Sequence, residues 1–455
     1  MIRRLLRQVT IITNLRGTPI PNLMLKMALP VMISLFAQSI YNVVDSYFVT
    51  KYALKALTAL SIIYPVQLLM IAIATGTGTG INILIAHLDG SQAVHRQETV
   101  VKSGLFLGLL NYFAFACIGL LLIKPYYQLS SSSTTVQSLG RTYAFIILIG
   151  SVSLFIEAVV TKMLQAKGQM RWPMIAQICG NLINILLNPL LIFGRLGFPK
   201  LGIAGSALAT ITGQLAALLI VTSHLHHYYA LNGQISRKVC VAIYHQGSAS
   251  ILLQSLYTVY IVGLNLILKQ FTGLAINVLG IYYKLQAFFF TPLEGLQQAI
   301  LSIISFSFGT KQLIRIKETV RLALLIACSV TIIGALAFIC FPRQLLGIYS
   351  SDLELRQIGV HAFRVIGSSF IPAGISMMLV IYFQATNQLQ KSIWVSLTRE
   401  LFLLVPIAWL LQFWGLAYFW YTFPITEILT TILAGLLYLK KNRRLYIVDR
   451  RFKKR

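Results

Sequence analysis

The sequence predicts an all-α polytopic membrane protein, with twelve transmembrane helices in two parallel six-helix lobes and both termini inside. Three observations predict it. Of the 455 residues, 57% are apolar and only 11% charged, against about 45–50 % and about 25 % in soluble domains. Twelve apolar stretches are long enough to cross ~30 Å of hydrocarbon. The second half of the chain also repeats the first. A water-soluble fold has no means of covering so much apolar surface.

The spans fall in order at 28–49, 58–86, 103–123, 139–160, 174–194 and 203–223, then at 248–268, 276–306, 319–341, 359–383, 395–412 and 416–439. Clusters of Gly, Pro, Ser and charge separate them, as in His87–Glu98, Lys162–Pro173 and Gly309–Glu318. The expected organisation is a cytoplasmic amphipathic N-tail at 1–27, an N-lobe at 28–223, a cytoplasmic linker at 224–247, a C-lobe at 248–439 and a basic cytoplasmic tail at 440–455. In the N-tail, Ile2, Leu5, Leu6, Val9 and Ile12 share one helical face opposite Arg3, Arg4 and Arg7. That pattern suits a helix lying in the interface, not a cleavable signal peptide.

The formal net charge is +27, from 38 Lys+Arg against 11 Asp+Glu. The charges flank apolar segments and form no basic domain, which argues against a nucleic-acid partner. Most of the basic residues fall in the tails and in every second loop, which places both termini inside. There they meet the anionic lipids of the inner leaflet. The five cysteines, Cys117, Cys179, Cys240, Cys328 and Cys340, form no CxxC pair, so neither a disulfide framework nor a zinc site is expected.

The repeat runs at an offset of ~217–220 residues. Gln38-Ser39-Ile40-Tyr41 is echoed by Gln254-Ser255-Leu256-Tyr257, and Glu98-Thr99-Val100 by Glu318-Thr319-Val320, each following a loop glycine (Gly90, Gly309). Ile149-Gly150-Ser151 is echoed by Ile366-Gly367-Ser368, Leu164-Gln165-Ala166 by Phe383-Gln384-Ala385, and Pro189 by Pro406. Each half holds an even number of spans, so the halves share one topology. Parallel repeats of this kind are a transporter device, with the substrate site at their interface.

Several motifs carry a family resemblance. Ala28-Leu29-Pro30 opens the first span, Tyr41-Asn42-Val43-Val44-Asp45-Ser46 follows, and Gly76-x-Gly78-x-Gly80 lies in the second. Gln165-Ala166-Lys167-Gly168, Asn181–Pro189 and Gly202–Thr210 continue the series, as do Lys284-Leu285-Gln286, Pro292-x-x-Gly295-Leu296-x-Gln298 and Pro424-Ile425-x-Glu427. Together, over residues 14–440, they resemble the MATE (multidrug and toxin extrusion) family. The resemblance implies a two-lobe, cation-coupled antiporter, driven by H+ or Na+, that exports small cationic or amphipathic xenobiotics by alternating access. It implies a small-molecule substrate, a monomer, a place in the plasma membrane, and no cofactor beyond the coupling ion.

Charged residues within spans are costly and functional by default. Five of the 11 acids lie in or beside spans: Asp45, Glu157, Glu294, Glu400 and Glu427. The matching cations are Lys284 and Arg399. The excess of acid suits a cavity that accepts cations. Gln38, Tyr41, Asn42 and Asp45 follow i, i+3, i+4, i+7 spacing and share a face. Asp45 stands about four residues, or ~6 Å, from the outer end of its span. Asn184 and Asn188 of the fifth span reach comparable depth, and Thr210 lies in the sixth.

The expected coupling-ion set is therefore Asp45, Asn184, Asn188 and Thr210, with sodium possible at Asp45, Asn184 and Asn188. Asn188 stands where members of the resembled branch often carry Asp. That weakens a bound sodium ion and leaves protonation of Asp45 as the simpler device. The expected cavity residues are Gln38, Tyr41, Asn42, Lys284, Glu294 and Glu427. Glu157, Arg399 and Glu400 are expected at an inner gate.

The first rival is a lipid-linked oligosaccharide or polysaccharide flippase of the related superfamily. It needs several cavity cations for pyrophosphate, against the two counted. His87-Leu88-Asp89-Gly90-Ser91 lacks the basic signature of a major facilitator transporter. An enzyme needs paired carboxylates, a His cluster or a nucleophile with its base at one membrane face, and no such grouping stands out. Thr75–Gly80 is no phosphate loop, since it has no Lys-Ser/Thr ending and follows no strand; its glycines suit helix packing.

Overall fold

The computed structural model describes residues 17–93, 95–230, 232–349 and 352–452, and, of these, side chains up to Lys440 other than those of Leu54, His95 and Thr258. The amphipathic stretch Ile2–Thr13 and the side chains of the basic tail lie outside the described residues. Among those described there is helix and no strand. The first six spans are α1 (Ile20–Tyr52), α2 (Leu54–Gly90), α3 (His95–Ser130), the pair α4 (Thr134–Gly150) and α5 (Val152–Ala166), α6 (Arg171–Phe193) and α7 (Ile203–Leu225). The second half follows with α8 (Arg237–Leu268), α9 (Gly273–Gly309), α10 (Leu313–Cys340), short α11 (Pro342–Gly347), and the pair α12 (Leu353–Gly367) and α13 (Phe370–Ala385). It ends with α14 (Leu389–Leu397), a π-helical segment Thr398–Leu404, α15 (Val405–Leu411), α16 (Leu416–Phe419) and α17 (Thr422–Phe452). Ten helices are long and apolar enough to cross a membrane, and the two bent pairs bring the number to twelve.

The helices outrun the apolar stretches that mark them, because polar turns at the membrane faces remain helical. The seventh span begins at Arg237, well inside the expected linker, and the fourth continues to Ala166. The fourth and tenth spans are also broken, by 44° and 47°. The breaks fall at the repeated Gly150-Ser151 and Gly367-Ser368. In the first, Ser151 donates its hydroxyl to the Leu148 carbonyl at 2.8 Å and Ser153 to that of Gly150 at 2.8 Å. In the second, Ser368 donates to Val365 at 2.7 Å and Ser369 to Ile366 at 2.6 Å. Hydroxyls that bond to carbonyls of the preceding turn, next to a glycine, are a known cause of helix bending.

The repeat also reaches the backbone of the turns. Gln92 and Lys311 both adopt positive φ, 60° and 58°, after α2 and α9. Gly168 and Asn387 do so after α5 and α13, at 71° and 58°. Each such residue lets the chain leave its helix by a left-handed turn.

The chain forms two compact units. The first runs to Ser255 and also includes Ser305–Leu313; the second comprises Leu256–Ile304 and the chain from Ile314 onward. Within the first unit, glycines let helices cross backbone to backbone. A Cβ on Gly80 would lie 2.1 Å from the Ile243 carbonyl oxygen, one on Gly247 would lie 2.3 Å from that of Gly76, and one on Gly90 would lie 2.8 Å from Gly309 Cα. Gly90 and Gly309, equivalent in the repeat, therefore meet face to face. Nearby, Lys167 and Asp89 form a buried ion pair at 2.6 Å. Gln97 joins both, its amide nitrogen donating to Asp89 and its oxygen accepting from Lys167. The Tyr229 ring lies 5.2 Å from the Lys167 ammonium.

Candidate functional site

The site in the first unit is built by α1, α6 and α7. Asn181, Asn184 and Asn188 recur along the buried face of α6. Glycines press that face against α7: a Cβ on Gly180 would lie 2.6 Å from the Gly213 carbonyl oxygen, and one on Gly213 would lie 2.5 Å from that of Gly180. This close crossing places Asn184 beside Thr210, to which it donates at 3.1 Å. Asn188 donates one amide nitrogen to Asp45 Oδ1 at 2.7 Å and to Asn184 Oδ1 at 2.8 Å. Ser206 donates to Asp45 Oδ1 at 3.2 Å. Thr210 donates back to the Ser206 carbonyl at 3.0 Å.

Asp45 stands farther from the end of its helix than from the end of its apolar run. α1 ends at Tyr52, which puts Asp45 seven residues, or ~10 Å, from the helix end. Tyr41, one turn before Asp45, lies within reach of Asp45 and Thr210. Tyr143 of α4 is buried and lies within electrostatic range of Asp45 and Tyr41. Sequence reading singled out neither Ser206 nor Tyr143. Ser206 stood in plain view within Gly202–Thr210, one turn before Thr210.

The structure thus brings Asp45, Asn184, Asn188, Thr210 and Tyr41 together. Gln38 is half-buried and Asn42 exposed, and neither side chain joins the hydrogen-bonded set. The two side chains that meet Asp45 Oδ1, those of Asn188 and Ser206, both donate to it. Asn188 turns its nitrogen toward two acceptors at once, and its own Oδ1 is buried without a partner. An oxygen-coordinated sodium ion needs that amide reversed, whereas a carboxyl group that gains and loses a proton is served by the arrangement as it stands. Among the described residues, no three His, Cys, Asp or Glu side chains group as metal ligands.

The other sequence-marked residues regroup. Arg399, expected at an inner gate, is ion-paired with Glu427, expected in the cavity: Nη2 and Nε meet Glu427 Oε1 at 2.7 and 2.8 Å. Both lie well inside their spans, as does buried Glu400. Membrane depth and partner choice join what sequence order had separated. Glu157 accepts from Thr161 at 2.7 Å and has Lys162 as its charged neighbour. Lys162 is 8% exposed; the apolar run stops at this charge, and the helix does not. Lys162 therefore adds a third span cation to Lys284 and Arg399. Lys284 is exposed, and its ammonium sits 5.8 Å from the Tyr349 ring, not beside an acid. Glu294 is exposed on α9, which runs through Pro292 unbroken.

Fold and site together define a multi-span membrane protein made of two homologous halves, with the polar cluster around Asp45 set among the helices of the first. A sequence model of the MatE family matches residues 30–190 and 249–410, once in each half. The chain belongs to that family; it is an integral multi-pass transporter, not an enzyme. Among curated relatives, the FAD transporter of Shewanella oneidensis is 24% identical over 403 residues, 87% of this chain and 89% of the relative. Multidrug export protein MepA of Staphylococcus aureus is 21% identical over 444 residues, 94% of this chain and 95% of the relative.

Solved structures share the fold. An outward-facing multidrug resistance MATE family transporter of the MOP superfamily superposes with a TM-score of 0.88 at 22% identity, covering 95% of this chain and 98% of that one. A MOP superfamily transporter from Pyrococcus furiosus gives 0.87 at 22% identity, covering 94% and 96%.

Proposed function

We propose that this protein is a proton-coupled antiporter of the plasma membrane that exports small, cationic or amphipathic xenobiotics by alternating access, working as a monomer. The observation that carries the reading is Asp45, a carboxyl group set ~10 Å into α1 and held by Asn188 and Ser206. Ionised, it accepts two hydrogen bonds and offers a negative charge to a cationic substrate or to a proton. Protonated, it loses that charge and becomes a donor itself. Substrate and proton then compete for one group, which is the minimum an exchange cycle requires. The donor-rich surroundings favour H+ over Na+ at this site. Multidrug relatives support the substrate class, and the anionic lipids of the inner leaflet suit the basic tail.

The test uses inside-out vesicles. Uptake of a planar fluorescent cation such as ethidium is followed under an imposed pH gradient and, separately, under a sodium gradient. A pH-driven response with no sodium response is expected, and no response to either removes the antiport reading. FAD belongs in the same assay, because a relative is named for it. FAD uptake without ethidium uptake would move the substrate class from cations to a dinucleotide.

A further inference from the structure

We propose that the second unit holds a proton-exchange site of its own, formed by Glu400 and Glu427 around Arg399. The proposal concerns a different group from Asp45 and stands or falls independently of the transport reading. Its basis is a count of charge and hydrogen bonds. Arg399 directs Nε and Nη2 at a single oxygen, Oε1 of Glu427. The other oxygen, Oε2, is buried without a partner. Glu400 is 5% exposed, its Oε2 is likewise buried without a partner, and it lies within electrostatic reach of both Arg399 and Glu427. Two carboxyl groups therefore answer to one guanidinium inside an apolar span.

With both ionised, the cluster keeps an uncompensated negative charge in a medium that penalises it. The groups facing it from neighbouring helices do not supply the missing cation. They are Tyr260 of α8, in range of Arg399 and Glu400, and Tyr282 of α9, in range of Arg399 and Glu427. Tyr257 and Tyr283 pack behind them, with ring centroids 6.3 Å apart. Phenols donate and accept hydrogen bonds but bring no positive charge.

One proton on the carboxyl pair balances the cluster. On release, the O–H bond breaks, its electrons remain on the carboxylate and the proton passes to water. The backbone fits such a role: Arg399 and Glu400 both sit on the π-helical segment Thr398–Leu404, a geometry that is rare in helices and concentrates at functional sites.

The experiment is infrared difference spectroscopy of the full-length protein in lipid vesicles, stepped between acidic and alkaline pH. The reading is the carboxylic acid C=O band lost on the alkaline step. Asp45→Asn is expected to remove part of that band. Asp45→Asn combined with Glu400→Gln, or with Glu427→Gln, is expected to remove a further component equal to one carboxyl per chain. If the double variants lose no more than Asp45→Asn alone, the proposal is overturned. Should Glu400→Gln fail to fold, Glu400→Asp keeps the acid and must move the band's frequency; an unmoved band overturns the proposal equally. Adding sodium at fixed acidic pH must leave the band intact, and its loss would replace the proton by a metal ion.

Discussion

Asn188 donates its side-chain nitrogen to Asp45 Oδ1 at 2.7 Å, and the same nitrogen reaches Asn184 at 2.8 Å. One amide thus orients the half-buried carboxyl group of α1 and ties it to a ladder that continues through Asn184 to Thr210. Because that nitrogen faces two oxygens, the amide cannot reverse without setting oxygen against oxygen. The orientation is fixed by its neighbours, and so is what Asp45 meets.

Two substitutions separate the charge from its support. Asp45→Asn is expected to abolish gradient-driven ethidium transport while elution and melting behaviour stay close to wild type, since the amide retains a bond to its neighbours. Asn188→Leu removes a hydrogen bond to a charged group, worth about 1.5–3 kcal/mol, and is expected to lower the melting temperature and weaken transport together. Asn188→Asp supplies the second acid and is expected to introduce a sodium response. Wild-type transport in Asp45→Asn would remove Asp45 from the mechanism.

Two helical glycines, one in each unit, give opposite signs for one chemical change. A Cβ on Gly80 would enter the Ile243 carbonyl at 2.1 Å, whereas a Cβ on Gly280 would meet nothing within 4 Å. Gly80→Ala must push α2 from α8, an overpacking cost of typically ~1–3 kcal/mol. Gly280→Ala fills open space in a helix and is expected to stabilise by about 0.5–1 kcal/mol. Thermal melts of the two purified variants decide this, and a fall for both would show that the Gly280 surroundings are tighter than the geometry states.

Much of this was legible in the residues. Twelve spans and the repeat follow from apolar run length and residue order; the grouping of Asp45 with Asn184 and Asn188 follows from their comparable depth on two spans together with the family resemblance, and Thr210 closes one of the motifs that carry that resemblance. The bends were marked as well, since Gly150-Ser151 and Gly367-Ser368 appear as a repeated motif; their meaning lay in which carbonyls the serines bond. Lys162 and Lys167 were hidden, because a buried lysine reads as a loop residue until its acid is found, and Asp89 lies 78 residues from Lys167. The Arg399–Glu427 pair spans 28 residues and two helices. Periodicity reports which face a side chain occupies, not which helix meets that face.

The Lys167–Asp89 pair provides a test of buried charge. Each side chain is 1% exposed. Lys167→Met strands the buried Asp89 side chain without its cation, at a cost of about 3–5 kcal/mol, whereas Lys167→Met with Asp89→Leu is expected to recover most of it. Burial holds the Lys167 ammonium below the usual lysine range although Asp89 pulls it up. The unfolded chain then binds that proton more tightly, so the contribution of Lys167 to stability rises with pH across the alkaline window below about 10.4. Melting temperature against pH for wild type and Lys167→Met gives the sign. A wild-type curve no steeper than that of the variant in this window would refute it.

Arg399 separates the charge of a cation from its shape. The guanidinium uses two nitrogens on one oxygen of Glu427, a geometry that the single nitrogen of lysine cannot copy. Arg399→Lys keeps the charge and is expected to cost less than Arg399→Met, which strands Glu427 and leaves Glu400 with no cation in reach. The methionine variant is expected to lose about 3–5 kcal/mol. Adding Glu427→Gln removes one stranded carboxyl and is expected to return part of that loss, a coupling visible in a double-mutant cycle of melting temperatures. If Glu427→Gln destabilises equally with or without Arg399, the two side chains do not act on each other and the pair contributes only its packing.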